Sequence, residues 1–420
     1  MNPSTTHYVA AGLFALALIH TFAAKSIEKL SLRHPRHGGL FHLLGEVEVV
    51  FGFWAAILIV AMALIAGGES ALGYAESRNY TEPLFVFVVM VVAASRPILM
   101  AMMQAVDLMA RVLPMRDTTA RVWLGLALVP LAGSFITEPA AMTIAALMLR
   151  AQVFRAGVPE RLKYAALGVL FVNISVGGTL TSYAAPPVLM VAQAWGWDTA
   201  FMAATFGWKA AIAVLINASA VTYVLREYVN AAPSVVVQGR ERPPIPVLVT
   251  AVHVCFLAAV VVFAHHPIVF LALFLFFIGY TQAYSAAQSP LIIKEALLVG
   301  FFLAGLVVLG GMQQWWLQPI VSSLAPAALF VSALGLTAIT DNAALTYLGS
   351  LIVGMSDEAK YMLMAGAVAG GGLTVIANAP NPAGVALLRR GFEHEAVGMG
   401  SLLLGALPPT IVAGGLLFLL

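Results

Sequence analysis

The sequence predicts an all-α polytopic membrane protein with about ten transmembrane helices and two re-entrant hairpins, arranged as two inverted repeats with broken helices. Three observations support this class. Hydrophobic residues make up 61% of the 420 residues and charged residues only 10%, whereas a soluble domain carries about 25% charged residues. Apolar stretches of membrane-spanning length follow one another along the chain. Two short motifs also recur, in the same order, in both halves.

Other classes fit poorly. Strands of a transmembrane β-barrel alternate apolar and polar residues, but runs such as FWAAILIVAMALIAG are apolar on every side. The net charge of +2 comes with no basic patch that would indicate nucleic-acid binding. The single cysteine, Cys255, excludes a disulfide framework.

The first element is an apolar stretch over residues 8–24. Its basic residues, Lys25, Lys29, Arg33 and Arg36, follow the stretch, whereas those of a cleaved signal peptide precede it. By the positive-inside rule we therefore expect a retained span that runs from outside to inside, with the N-terminus outside. A second span over residues 40–66 returns outward, and a third span, from Pro83, comes back inside.

The next apolar stretch, residues 122–149, predicts a re-entrant hairpin. Basic residues flank it on both sides, so it starts and ends inside. Its bend is expected in GSFITEP, where Gly133 and Pro139 interrupt the helical pattern. A span over residues 164–195 then leads outward, and one over residues 201–224 leads inward.

A polar segment over residues 226–246 predicts a cytoplasmic linker between a first repeat, residues 1–225, and a second repeat, residues 247–420. The second repeat has the same elements in the same order. They are spans at 247–264, 268–283 and 296–310, a hairpin at 327–353 entered from outside, a broken helix at 361–388 and a last span at 397–420. Each half has five crossings, and an odd number makes the halves inverted and places both termini outside.

The halves also match in sequence. ITEPAAMT, residues 136–143, matches ITDNAALT, residues 339–346, with six of eight positions identical or exchanging one acid for another. GGTLTSYAAPP, residues 177–187, matches GGGLTVIANAP, residues 370–380. Such segments break a helix and leave backbone groups unpaired, which is tolerated at membrane depth only where they are buried or line a cavity. Broken helices at matching places in inverted halves indicate a substrate site near the midplane. The predicted helix-break residues are Gly177, Gly178, Pro186, Pro187, Gly371, Gly372 and Pro380.

These motifs resemble those of the ion transporter superfamily, which includes NhaD-type sodium/proton antiporters, divalent anion/sodium symporters and arsenite permeases. The chain is most similar to the sodium/proton antiporter group. The hairpin tips read Thr137-Glu138-Pro139 and Thr340-Asp341-Asn342, where the anion symporters carry Ser-Asn-Thr. The resemblance implies a homodimer in the bacterial inner membrane, with a scaffold part and a transport part that moves in an elevator-type motion.

Glu138 and Asp341 occupy equivalent positions at the two predicted hairpin tips. An ionisable residue at membrane depth costs roughly 2.5 to 3.5 kcal/mol and is by default a functional hypothesis. A buried carboxyl group takes up a proton when no cation is near, and a sodium ion displaces that proton. We therefore expect both residues to carry protons and cations and to hold sodium. The alternative is that Thr137 or Thr340 caps the outgoing hairpin arm, and that the acid beside it is favoured by the helix dipole.

Hard oxygen atoms near these tips are candidate ligands for sodium. The candidate cation-binding residues are Thr137, Thr340, Asn342, Thr179, Thr181, Ser182, Thr374, Asn378 and Asn381. Glu46 and Glu48 form a further acidic pair at the inner start of the second span. They are interpreted as an interfacial pair near His42, or one of them as a proton relay.

The leading function is a secondary transporter, not an enzyme, that exchanges sodium for protons. No cofactor is expected, because sodium is the transported substrate and the sequence lacks a GxxxxGK[ST] nucleotide motif. The alternative in the same fold is a sodium-coupled symporter or permease for an anion such as a dicarboxylate. An intramembrane hydrolase is disfavoured, since HExxH and GxSxG are absent.

Overall fold

The computed structural model describes residues 4–231 and 244–420. Most of the predicted linker therefore lies outside the described residues. In the first half the helices are α1 Thr5–Arg33, α2 Gly38–Leu44, α3 Val47–Ala66, α4 Gly68–Glu76, α5 Thr81–Ala93, α6 Arg96–Val112, α7 Asp117–Leu126, α8 Leu128–Ile136, α9 Glu138–Arg150, α10 Glu160–Gly177, α11 Pro186–Trp195, α12 Thr199–Met202 and α13 Trp208–Asn230. In the second half they are α14 Val247–Val262, α15 Pro267–Ala283, α16 Ile293–Gly310, α17 Gln314–Ser322, α18 Pro326–Thr337, α19 Asn342–Ser350, α20 Asp357–Gly370, α21 Asn381–Leu388 and α22 Met399–Leu419.

Six helical segments of the described chain are long and apolar enough to cross a membrane. They are Thr5–Ala24, Val47–Ala66, Glu160–Leu180, Thr199–Asn230, Ile293–Gly310 and Met399–Leu419. Two bent pairs raise the number to eight: α5 with α6, at 63°, and α7 with α8, at 43°. Three shorter apolar helices, α14, α15 and α18, add to these. The prediction of an all-α polytopic membrane protein with broken helices is confirmed.

The helices are interrupted at the two pairs of repeated motifs. In the first half, α8 and α9 meet at Thr137, and residues 178–185 separate α10 from α11. In the second half, residues 338–341 separate α18 from α19, and residues 371–380 separate α20 from α21. Proline stands in the first turn of both outgoing segments, α11 and α21, where the missing N–H breaks no intrahelical bond.

Glycine contacts let several helices approach at backbone distance. A Cβ added to Gly305 of α16 would lie 2.3 Å from the backbone nitrogen of Gly52 in α3, and one added to Gly168 of α10 would lie 2.5 Å from the carbonyl carbon of Gly405 in α22. In lipid there is little hydrophobic drive between helices, so close packing of small residues holds them together. α10 is the most enclosed of the six spans, with 83% of its membrane-spanning residues buried. This places its broken end in the interior of the protein.

Candidate functional site

Glu138 lies at the centre of the first pair of breaks. It is the first residue of α9 and is completely buried. Its Oε2 accepts a hydrogen bond of 2.7 Å from Nδ2 of Asn378, in the second half's break. Its Oε1 has no hydrogen-bond partner among the described residues. The carboxyl group thus joins the two halves through one oxygen and keeps the other available.

The backbone in front of Glu138 is strained. Thr137 has φ of 74° and ψ of 150°, a positive-φ conformation that a β-branched residue rarely adopts. Such conformations cost of the order of 1–3 kcal/mol and occur where the surroundings, often a ligand site, impose them. Neither Thr137 nor Glu138 caps α9 with its side chain. Thr137 therefore does not cap α9, whereas Glu138 lies in the first turn, where the helix dipole favours an acid.

Gly178 provides the space that the Glu138 carboxyl group occupies. A Cβ on Gly178 would lie 2.5 Å from Oε1 of Glu138. The neighbouring Gly177 packs against backbone instead, since its Cβ would lie 2.8 Å from the carbonyl carbon and oxygen of Pro130 in α8. The two glycines therefore have different roles. Gly178 leaves space for the carboxyl group of Glu138, and Gly177 lets the backbone of α8 pack closely.

Hydrogen bonds join the first hairpin to the broken helix beside it. Ser134 donates from Oγ to the Gly177 carbonyl (2.7 Å) and accepts from the Leu180 amide (2.9 Å). Thr181 donates to the Ser134 carbonyl at 2.6 Å. Ser134 is not among the predicted ligands, although it lies in the predicted bend segment GSFITEP. Hairpin and break are tied into one unit.

Asp341 differs from Glu138. It is partly exposed, and its Oδ1 caps α19 by accepting hydrogen bonds from the amides of Ala343 (2.8 Å) and Ala344 (3.3 Å). At this tip the cap is Asp341 itself and not Thr340, the residue considered for that role. Capping occupies one carboxyl oxygen and is compatible with an ion-carrying role for the other.

The second hairpin is tied to its own break in the same way as the first. The backbone N–H of Asn342 donates to the Ala377 carbonyl at 3.1 Å. The hydroxyl of Thr374 donates to the Ala338 carbonyl at 2.8 Å. Asn381 spans the break, with its Nδ2 donating to the carbonyl groups of Gly371 (2.8 Å) and Thr374 (2.9 Å).

Unpaired oxygen atoms concentrate at the tips and breaks. Six of the fifteen buried side-chain polar atoms that lack a hydrogen-bond partner in the described chain are oxygens of these segments. They are Thr137 Oγ1, Glu138 Oε1, Thr337 Oγ1, Asn342 Oδ1, Asn378 Oδ1 and Asn381 Oδ1. A buried polar atom without a partner costs about 1–3 kcal/mol, and oxygens are the ligands that hard cations prefer. Within the described ranges, no group of three or more His, Cys, Asp or Glu side chains is placed to hold a metal ion.

The remaining candidates are placed less directly. Thr179 and Thr181 are buried and donate to backbone carbonyls of Val176 and Ser134. The hydroxyl of Ser182 lies 3.2 Å from that of Thr199. Ser182 also lines a pocket of about 500 Å³ together with His265. Thr340 is partly exposed beside Asp341.

Asp341 lies within electrostatic range of two other carboxyl groups. Asp341 is close enough to Glu138 and to Glu48 of α3 to feel their charges. Glu46 instead forms an interfacial group with His42 (3.6 Å) and Lys294 (3.4 Å). Glu46 and Glu48 thus have different neighbours, and the interpretation of this pair as interfacial stays a prediction. The sequence signal was only that two acids two positions apart cannot share one helix face.

A solved structure similar in overall shape is that of the Alcanivorax borkumensis YdaH transporter, described as having an unusual topology. It is 14% identical, the match covers 88% of this chain and 96% of that one, and the TM-score is 0.47. No curated protein sequence matches the chain. A family model described as "Putative Na+/H+ antiporter" matches residues 5–420. This multi-pass membrane protein therefore belongs to that Na+/H+ antiporter family.

Proposed function

We propose that the protein is a secondary transporter that exchanges sodium for protons across the membrane, with Glu138 as the principal carrier of both ions. The observation that supports this most is the carboxyl group itself, completely buried with one oxygen bonded to Asn378 and the other unpaired. An ionised carboxylate buried in this way needs either a proton or a cation. The same oxygen serves both, so the two ions exclude each other.

Exchange follows from that exclusion. When sodium leaves Glu138 on one side, a proton neutralises the carboxylate before the empty site returns, and the reverse occurs on the other side. Asn378 donates to Oε2 in either state and so holds the carboxyl group in place. The unpaired oxygens of Thr137 and Asn378 are the proposed neutral ligands for sodium.

Asp341 is the second proposed carrier, with a role unlike that of Glu138. Two backbone amides hold its Oδ1, so the carboxyl group is fixed at the start of α19. Its negative charge attracts a cation to the second tip, where Thr337, Asn342 and Asn381 have unpaired oxygens. The tips therefore form two unequal ion sites.

The motion that we propose is of the elevator type. Hydrogen bonds tie each hairpin to its own broken helix, and Glu138 with Asn378 ties the two pairs together. Such a unit can move as one body against a scaffold formed around α3 and α16. We further propose that residues 1–225 and 247–420 are inverted repeats, that the protein is a homodimer in the bacterial inner membrane, and that both termini lie outside. Cysteine labelling on a Cys255→Ala background tests the topology, and outside labelling at Glu160 would contradict it.

Sodium-dependent proton flux in proteoliposomes tests the exchange itself. We expect Glu138→Gln to abolish coupled flux, because glutamine can neither release a proton nor neutralise sodium. Glu69→Gln, at an exposed residue of α4, is the matched control and should transport normally. Normal flux in a folded Glu138→Gln protein would contradict the proposal, and flux that appears only with an added dicarboxylate would support the anion symporter instead.

A further inference from the structure

An apolar groove of about 890 Å³ has no lining residue from the tips and breaks of the candidate ion site. Helices α2, α3, α5, α15 and α16 form it, and aliphatic and aromatic side chains line it almost entirely. Phe53 and Phe301 stand in it and are 36% and 43% exposed. The groove is thus open to the surroundings.

The groove lies at membrane depth, because α3 and α16 are both membrane-spanning segments. Its wall is also rigid. Phe301 lies over Gly52, where an added Cβ would come within 2.2 Å of the phenyl ring, and Gly305 packs on the backbone of the same glycine. Backbone contact of this kind leaves no room for α3 and α16 to close the groove. In a bilayer, such a preformed apolar space is filled by hydrocarbon.

One end of the groove meets a basic segment. Leu40, Leu43 and Leu44 of the short helix α2 line the groove. The chain that leads into α2 carries Lys29, Arg33 and Arg36, all exposed. These residues flank the inner end of the first span, where basic side chains attract anionic lipid head groups.

We propose that this groove binds an acyl chain of an anionic phospholipid, with the phosphate of the lipid against the basic segment before α2. Transfer of a chain from the bilayer to the groove gains little hydrophobic free energy, because both environments are apolar. Selectivity therefore comes from shape and from the phosphate. A two-fold interface places the same patch on both subunits, so a second copy of this chain could enter the groove only with a ridge from that same patch.

The test uses phosphatidylglycerol with a photoactivatable diazirine at the end of one acyl chain, in proteoliposomes of the full protein. We expect labelling to concentrate on peptides of α3 and α16. Ala56→Trp and Ala304→Trp, which fill the groove, should reduce that labelling strongly. Ala258→Trp, at an exposed position of α14 outside the groove, is the matched control and should leave it unchanged.

A variant that keeps the groove intact provides an independent measurement. Arg36→Gln should reduce the preference for phosphatidylglycerol over phosphatidylcholine by about fivefold, the contribution of one basic residue near a charged lipid surface. Equal labelling of all lipid-facing helices would overturn the proposal. So would a disulfide-linked dimer formed efficiently by Ala304→Cys on the Cys255→Ala background, which would identify the groove as a subunit interface.

Discussion

Gly178→Ala separates the geometry of the carboxyl site from the stability of the fold. Gly178 has φ of −71° and ψ of −6°, values that alanine adopts without strain. The new Cβ would lie 2.5 Å from Oε1 of Glu138, whereas ordinary contact begins at 3.4 Å, so the carboxyl group must retreat by about 0.9 Å. The 2.7 Å bond to Asn378 leaves the carboxyl group little freedom to move, because such a bond is lost beyond about 3.2 Å.

We expect the free-energy cost of Gly178→Ala to weaken ion binding and not the fold, because the displaced group is the end of the flexible Glu138 side chain. Overpacking of this kind costs about 1–3 kcal/mol, which corresponds to an increase of about 5- to 150-fold in the half-saturating sodium concentration. The assay is sodium-dependent proton flux in proteoliposomes, with thermal unfolding in detergent as a measure of folding. Gly279→Ala, whose Cβ would meet nothing within 4 Å, should change neither quantity. A folded Gly178→Ala protein with wild-type sodium dependence would refute the proposed position of the cation at Glu138.

The remaining predictions concern the residues around the two acids. Gly177→Ala should lower thermal stability and yield, in contrast to Gly178→Ala, because its Cβ meets the backbone of Pro130 at 2.8 Å; unchanged melting would contradict the packing described. Asp341→Ala should cost about 1 kcal/mol of stability, because the helix cap is lost. Asp341→Asn keeps the cap, so it should melt like wild type while impairing exchange. Thermal unfolding and proton flux together separate the two effects. Asn378→Ala removes the donor to Oε2 of Glu138 and should weaken sodium dependence without abolishing exchange, so a complete loss in a folded protein would give Asn378 a larger role than positioning.

The composition of the sequence and its helix-breaking residues predicted most of the fold. Long uninterrupted apolar stretches are readily predicted to be membrane-spanning helices. Gly-Gly, Pro and the repeated motifs predicted the helix interruptions that the structure has at Thr137 and at residues 371–380. Hydropathy described the other elements less well. α14 and α15, with 16 and 17 residues, are shorter than the usual span of about 20 residues.

The contacts of the site could not be read from the sequence in the same way. Glu138 bonds to Asn378, 240 positions away, and local spacing carries no information about such a pair. The motifs also made Glu138 and Asp341 equivalent, whereas only Asp341 caps its helix. Thr337 was not predicted as a ligand, because it precedes the repeated motif at residues 339–346. It is buried in the structure, where α18 packs against α20.

The half-saturating sodium concentration, measured across pH 6 to 9 in proteoliposomes, tests most directly whether one carboxyl group carries both ions. If protons and sodium compete for Glu138, lowering the pH must raise the half-saturating concentration, by up to about tenfold per pH unit for each proton displaced. Saturating sodium should then restore the flux lost at low pH. A half-saturating concentration that stays constant over this range would contradict the account.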